Sequence, residues 1–84
     1  MTAAEQIERI FREEHGRVLA GLISRLGDFE LAEDALQDAL VNALERWGID
    51  GIPRNSGAWL LTVAKRRAVD RIRRAAALEQ KVEI

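Results

Sequence analysis

The 84-residue chain has no cysteine, one proline and one histidine. Without cysteine, disulfide staples, thiolate chemistry and zinc ribbons are excluded, so the core must hold by packing alone. No stretch approaches the roughly 18 apolar residues that a membrane span needs. The N-terminal MTAAEQIERI lacks a basic start followed by an apolar run, so no signal peptide is visible and a cytoplasmic location is expected. No glycine-rich phosphate loop is present. His15 sits in REEHGR with no serine or cysteine at a nucleophile's spacing, which points to a surface or helix-end role. Asp34 and Asp38 lie one helical turn apart, yet no further oxygen cluster completes a cation cage. The chain reads as a non-enzyme without metal or cofactor.

What is present is helical. A chain this short forms one small domain, and 48% hydrophobic with 32% charged residues favours amphipathic helices over disorder. Thr2 and Glu5 make the T-x-x-E pattern of a capping box. Apolar residues from Ile7 to Leu26 then keep helical spacing, with a possible bend at His15-Gly16. Gly27 suits a left-handed C-cap, and Asp28 suits the next N-cap. The second helix is expected to end near Trp47, where GIDGIPRNSG supplies three glycines and the proline. Ser56, or Asn55 before it, can cap a third helix reaching about Arg74, which the tail AAALEQKVEI could continue. No period-two pattern appears. The expected fold class is all-α, a compact bundle of three to four helices spanning residues 1–84 as one domain.

Charge is distributed unevenly. Residues 1–53 hold 5 basic and 11 acidic side chains, a balance of −6, whereas residues 54–84 hold 8 basic and 3 acidic, a balance of +5. Two readings stay open from this alone: separate partners of opposite sign, or helices that neutralise each other. On the second helix, Phe29, Ala32, Ala35, Leu36, Ala39, Leu40, Ala43 and Trp47 gather on an inward side. Glu30, Asp34, Gln37, Asp38, Val41 and Glu45 lie opposite, a face that suits either solvent or a basic partner. On the third helix, Leu61, Ala64, Ala68, Val69 and Ile72 form the expected inward stripe. Trp59, Val63, Arg66, Asp70 and Arg73 run along the other side, with Leu60, Arg67, Arg71 and Arg74 beside them. Asp70 could pair with Arg74 or Arg66 along the helix. A flat apolar patch followed by fixed positive charge offers both things a nucleic acid needs, surfaces for bases and partners for phosphates. Arg54, Asn55 and Ser56, just before a helix N-terminus, suit a phosphate or base edge, or serve as an ordinary connector with a cap.

AEDALQDALVNALERW, followed by a loop and GAWLLTVAKRRAVDRIRR, resembles the core-binding and promoter-reading segments of the extracytoplasmic-function (ECF) sigma factors of bacterial RNA polymerase. The likeness covers about residues 5–75. GIPRNSGAW further resembles a subgroup with a long helical C-terminal extension. The resemblance implies that the second helix docks on the clamp helices of the largest polymerase subunit through Asp34, Gln37 and Asp38, with Leu40, Val41 and Leu44 as apolar neighbours. It implies that promoter DNA is melted at the minus-ten element and that a non-template base is flipped into the loop Arg54–Ala58. Asn55 and Ser56 lie in that loop. Trp59 then stands at the upstream edge of the bubble, and Val63, Arg66, Arg67, Arg71, Arg73 and Arg74 face the strand and duplex. Many relatives have asparagine at the position of Arg66 and phenylalanine at that of Leu40, and Leu60 stands where housekeeping sigma factors carry a second tryptophan. An anti-sigma factor or a C-terminal extension is a further partner that the family admits. The second domain, which reads the minus-thirty-five element, is not within these 84 residues. A repressor-type helical DNA-binding regulator and a protein-only interaction module are the alternative readings.

Overall fold

Each helix begins where a short polar side chain takes up a free backbone amide. Thr2 Oγ1 accepts from the amide of Glu5 at 3.2 Å, Asp28 Oδ1 from Leu31 at 3.0 Å and Asn55 Oδ1 from Ala58 at 3.0 Å. In the computed structural model, which describes residues 2–82, these caps open α1 (Ala3–Leu26), α2 (Phe29–Asp50) and α3 (Ser56–Val82). Gly27, at φ 68°, closes α1 with its amide donating to the Ile23 carbonyl. An L-residue with a side chain rarely adopts that backbone conformation.

All three helices run further or straighter than the sequence signals suggest. α1 continues unbroken through His15-Gly16, because Gly16 faces open space and nothing inserts into the hydrogen-bond ladder there. His15 accordingly sits mid-helix rather than at a helix end, half-buried at the surface with its ring edge-on to Phe11 at 5.4 Å between centroids. α2 passes Trp47 by nearly a turn and stops at Asp50, with Gly51 at φ 88° as its cap. An exposed glycine such as Gly48 costs a helix only about 1 kcal/mol, so the break waits for the second one. α3 outlasts Arg74 because Ala75, Ala76 and Ala77 are the strongest helix formers.

α2 packs against both other helices. Its inner face is made mostly of Ala32, Ala35, Ala39 and Ala43, all fully buried, with Leu36 and Trp47 as large buried members and Leu31 and Leu40 packed at its edges. α1 contributes Ile7, Phe11, Val18 and Leu22, and α3 contributes Leu60, Ala64 and Ala68. The inward stripe of α3 is therefore rotated from the expected one: Leu60 is fully buried, Leu61 only half-buried, and Val69 and Ile72 are 41% and 50% exposed. The cause is that α3 turns its Leu60-Ala64-Ala68 line to the alanine seam of α2, and α1 covers only part of the next line. α1 lies along α3 in the same direction, Glu14 beside Gly57 and Gly21 beside Leu61, and it stops at Leu26. Phe29, expected in the core, is 54% exposed at the start of α2.

Candidate nucleic-acid interface

Small side chains in the α2–α3 seam let the polar residues that flank it reach across. Arg71 donates from Nε and Nη2 to Asp38 Oδ2 and Oδ1 at 2.8 and 3.0 Å, and its Nη1 lies 3.9 Å from Asp34 Oδ2. One turn along, Arg67 Nη2 donates to Asn42 Oδ1 at 3.1 Å. The antiparallel register then sets Arg46 opposite Val63, and among the described residues no acidic group of α3 pairs with it within 4.0 Å, although Asp70 lines the same groove. Arg46 pairs instead with Asp50 on its own helix at 3.3 Å, in an exposed contact. The seam thus runs from a charge pair, through a neutral amide, to a cation facing an apolar wall.

At that open end lies a groove of about 480 Å³. α2 supplies Asn42 and Arg46, and α3 supplies Trp59, Val63, Arg66, Arg67 and Asp70. Trp59 is half-buried and meets the buried Trp47 edge-to-face, with centroids 5.1 Å apart and planes at 67°. That contact fixes the orientation of the Trp59 ring while leaving part of it to line the groove. Trp47 Nε1 is buried without a hydrogen-bond partner. An aromatic wall beside guanidinium groups can stack a base and hold its phosphate.

The expected strand-facing residues divide into three groups. Trp59, Val63, Arg66 and Arg67 come together in this groove. Arg73 and Arg74 are exposed further along α3, and among the described residues neither makes an ion pair within 4.0 Å. Arg54 is exposed in the loop, but Asn55 and Ser56 are engaged locally, Asn55 as the cap of α3 and Ser56 Oγ donating to the Pro53 carbonyl at 3.3 Å. The Glu14 side chain also crowds this helix start, since a Cβ at Gly57 would lie 2.6 Å from Glu14 Oε2. Arg71 is the exception on α3, tied to the acidic residues of α2. The ladder along α3 between Asp70 and Arg66 or Arg74 does not form among the described residues. Such single-helix pairs are worth only a few tenths of a kcal/mol, too little to hold long exposed side chains in place.

The expected docking residues of α2 also separate. Asp34 and Val41 are exposed, the latter by 55%, and Asp38 beside them is half-buried under Arg71. The hydrogen bond from Arg71 is the main reason the Asp38 carboxyl is held below its ordinary pKa, and the Coulombic pull of Arg71, Arg67 and Arg74 adds to it against the opposing effect of burial. Gln37 and Leu40 turn toward α1, where they line a second groove of about 430 Å³ with Phe11 and His15. Leu44 is 38% exposed. Asn42 and Arg46 were not expected at the site from sequence. Their signal was there: with Asp38 they repeat every four residues, one line along a helix.

An arginine-lined aromatic groove next to an acid-rich helix face defines a helical module that can meet a polyanion on one side and a basic surface on the other. The family comparison agrees with this class. The sequence model of Sigma-70 region 2 matches residues 10–77, and the chain belongs to that family of sigma-factor transcription domains. An uncharacterized protein of Rhizobium meliloti (strain 1021) is 34% identical over 58 residues, which make up 69% of this chain and 14% of that relative. The chain therefore corresponds to a small part of the relative's length. No solved structure matches it. No helix among the described residues is long and apolar enough to cross a membrane.

Proposed function

We propose that the chain is the minus-ten module of an ECF-type sigma factor, acting in the cytoplasm with bacterial RNA polymerase. The outer side of α2 docks on the clamp helices of the largest subunit through Asp34, Asp38, Val41 and Leu44, with Gln37 and Leu40 at its edge toward α1. The Trp59 groove receives the melted non-template strand: Trp59 and Val63 meet a base, while Arg66, Arg67 and Arg46 meet its phosphates, with Arg73 and Arg74 further along. The loop Arg54–Ala58 borders the flipped base. Asn55 keeps its amide group for a base edge even while its carbonyl caps α3. The observation that carries this reading is the groove itself, where aromatic surface and guanidinium groups from two helices converge. Opening a duplex costs a few kcal/mol, which polymerase contacts would help to offset.

Two measurements test the two faces separately. Asp34→Arg and Gln37→Ala are expected to reduce capture by immobilised clamp helices without changing the helical circular dichroism. Undiminished capture by both variants removes the docking assignment. Fluorescence anisotropy in low salt should show tighter binding to a single-stranded minus-ten oligonucleotide than to the corresponding duplex. Preference for duplex would instead support a repressor-type regulator.

A further inference from the structure

Arg71 belongs to the strand-facing helix, yet its guanidinium is held by the docking face. It forms two hydrogen bonds with Asp38, at 2.8 and 3.0 Å, and sits 3.9 Å from Asp34. Beside this pair is a groove of about 290 Å³ shared by Arg67 and Arg74, neither of which makes an ion pair within 4.0 Å among the described residues. Three guanidinium groups thus border one concavity, and one of them is neutralised from the opposite helix.

We propose that the Arg71–Asp38 pair is a latch between the two interfaces. A basic partner surface that takes over the Asp34 and Asp38 carboxylates releases Arg71, which then joins Arg67 and Arg74 as a phosphate ligand. This inference rests on the two-faced reading given under Proposed function. The pair suits such an exchange because it is only partly covered: the side chains of Arg71 and Asp38 are 39% and 33% exposed. Pairs this accessible are weak because water competes for both charges, so an incoming cation can replace Arg71. A fully buried pair would instead resist exchange, because each freed charge would be left without water. Glu45 also borders the groove and limits how much negative charge is removed when Asp38 is engaged. Coupling of this kind is reciprocal, so a strand phosphate that captures Arg71 exposes Asp38 and tightens the basic partner by the same factor.

The test uses the whole 84-residue chain and a labelled single-stranded oligonucleotide, without polymerase. Asp38→Asn keeps the shape of the side chain and removes its hold on Arg71. One added phosphate contact on a single strand steepens the salt dependence by about 0.7, which is roughly an eightfold gain at about 50 mM salt. Asp34→Asn, at the longer distance, should give a smaller gain. Glu33→Gln makes the same change in net charge without touching Arg71 and should give less than either. The decisive comparison is a double-mutant cycle, in which Arg71→Gln weakens binding more in the Asp38→Asn background than in the parent chain. Thermal melts of each variant verify that the bundle is intact. Equal binding by parent and Asp38→Asn, or an equal gain from Glu33→Gln, overturns the latch and leaves the groove reading standing. Absence of oligonucleotide binding in every variant overturns both.

Discussion

Replacing Leu60 by alanine tests the rotation of α3, on which the groove depends. The change removes three carbons from a side chain with no exposure, a transfer loss of about 2.4 kcal/mol at about 0.8 kcal/mol per buried methylene. The cavity left behind raises the cost to about 3–4 kcal/mol, since closely packed neighbours relax only in part. A domain of this length has about 4–12 kcal/mol in total, so a quarter or more of its stability would be lost. The melting temperature should fall by about 15–25 °C. Leu61→Ala removes the same atoms from a half-buried site open to water, with an expected cost of about 1 kcal/mol. Urea and thermal unfolding followed by far-UV circular dichroism compare the two variants directly. Equal losses, or a larger loss at Leu61, would mean that α3 is turned by about 100°, one residue, from the orientation described. Trp59 and Arg66 would then leave the groove.

The same substitution should have opposite signs at two glycines. Gly27→Ala forces a side chain into the left-handed region at φ 68° and is expected to cost about 1–2 kcal/mol, whereas Gly16→Ala, in an exposed helix interior with open space around it, should gain about 0.5–1 kcal/mol; denaturant midpoints decide both. Because the Asp38 pKa is lowered in the folded chain, its pairing contributes stability above the ordinary value of 3.8, and this contribution is lost as pH falls through the lower folded value. Any excess in melting temperature of the parent over Asp38→Asn should therefore be present near neutrality and vanish in strong acid. Persistence of that excess in strong acid would show that it comes from packing and not from charge. Trp59→Ala should weaken single-strand binding about fivefold, the low end for loss of a stacked base, because the Trp47 contact already occupies part of the ring. Oligonucleotide titration of this variant and of Trp59→Phe, which should recover part of the loss, measures the effect.

The caps at Thr2 and Asp28 and the left-handed turn at Gly27 were legible in the sequence because each depends on groups only a few residues apart; at α3 the sequence offered Ser56 or Asn55, and Asn55 is the cap. Apolar spacing likewise marked most of the inward face of α2. What local pattern could not supply was the rotation of α3. Its Leu60-Ala64-Ala68 and Leu61-Val69-Ile72 lines are both apolar, and the choice between them depends on which neighbour lies opposite and where α1 ends. The different surroundings of the arginines were hidden for a related reason. Arg66, Arg67, Arg71 and Arg74 look alike along one helix, and only the register against α2 gives Arg71 an acid, Arg67 an amide and Arg66 an open groove. Asn42 and Arg46 were missed because an asparagine and an isolated arginine on an acidic helix carry little signal until the aromatic wall faces them.

The run of alanines in the middle of the α2–α3 seam has an electrical consequence. Alanine at Ala39, Ala43, Ala64 and Ala68 lets the two backbones come close, and a carboxylate on one can then touch a guanidinium on the other. A bulkier residue at Ala39 would separate the helices, and every ångström of extra gap would be taken from the reach of Asp38 and Arg71. The smallest buried side chains thus set the range over which surface charges on adjacent helices sense each other's ligands.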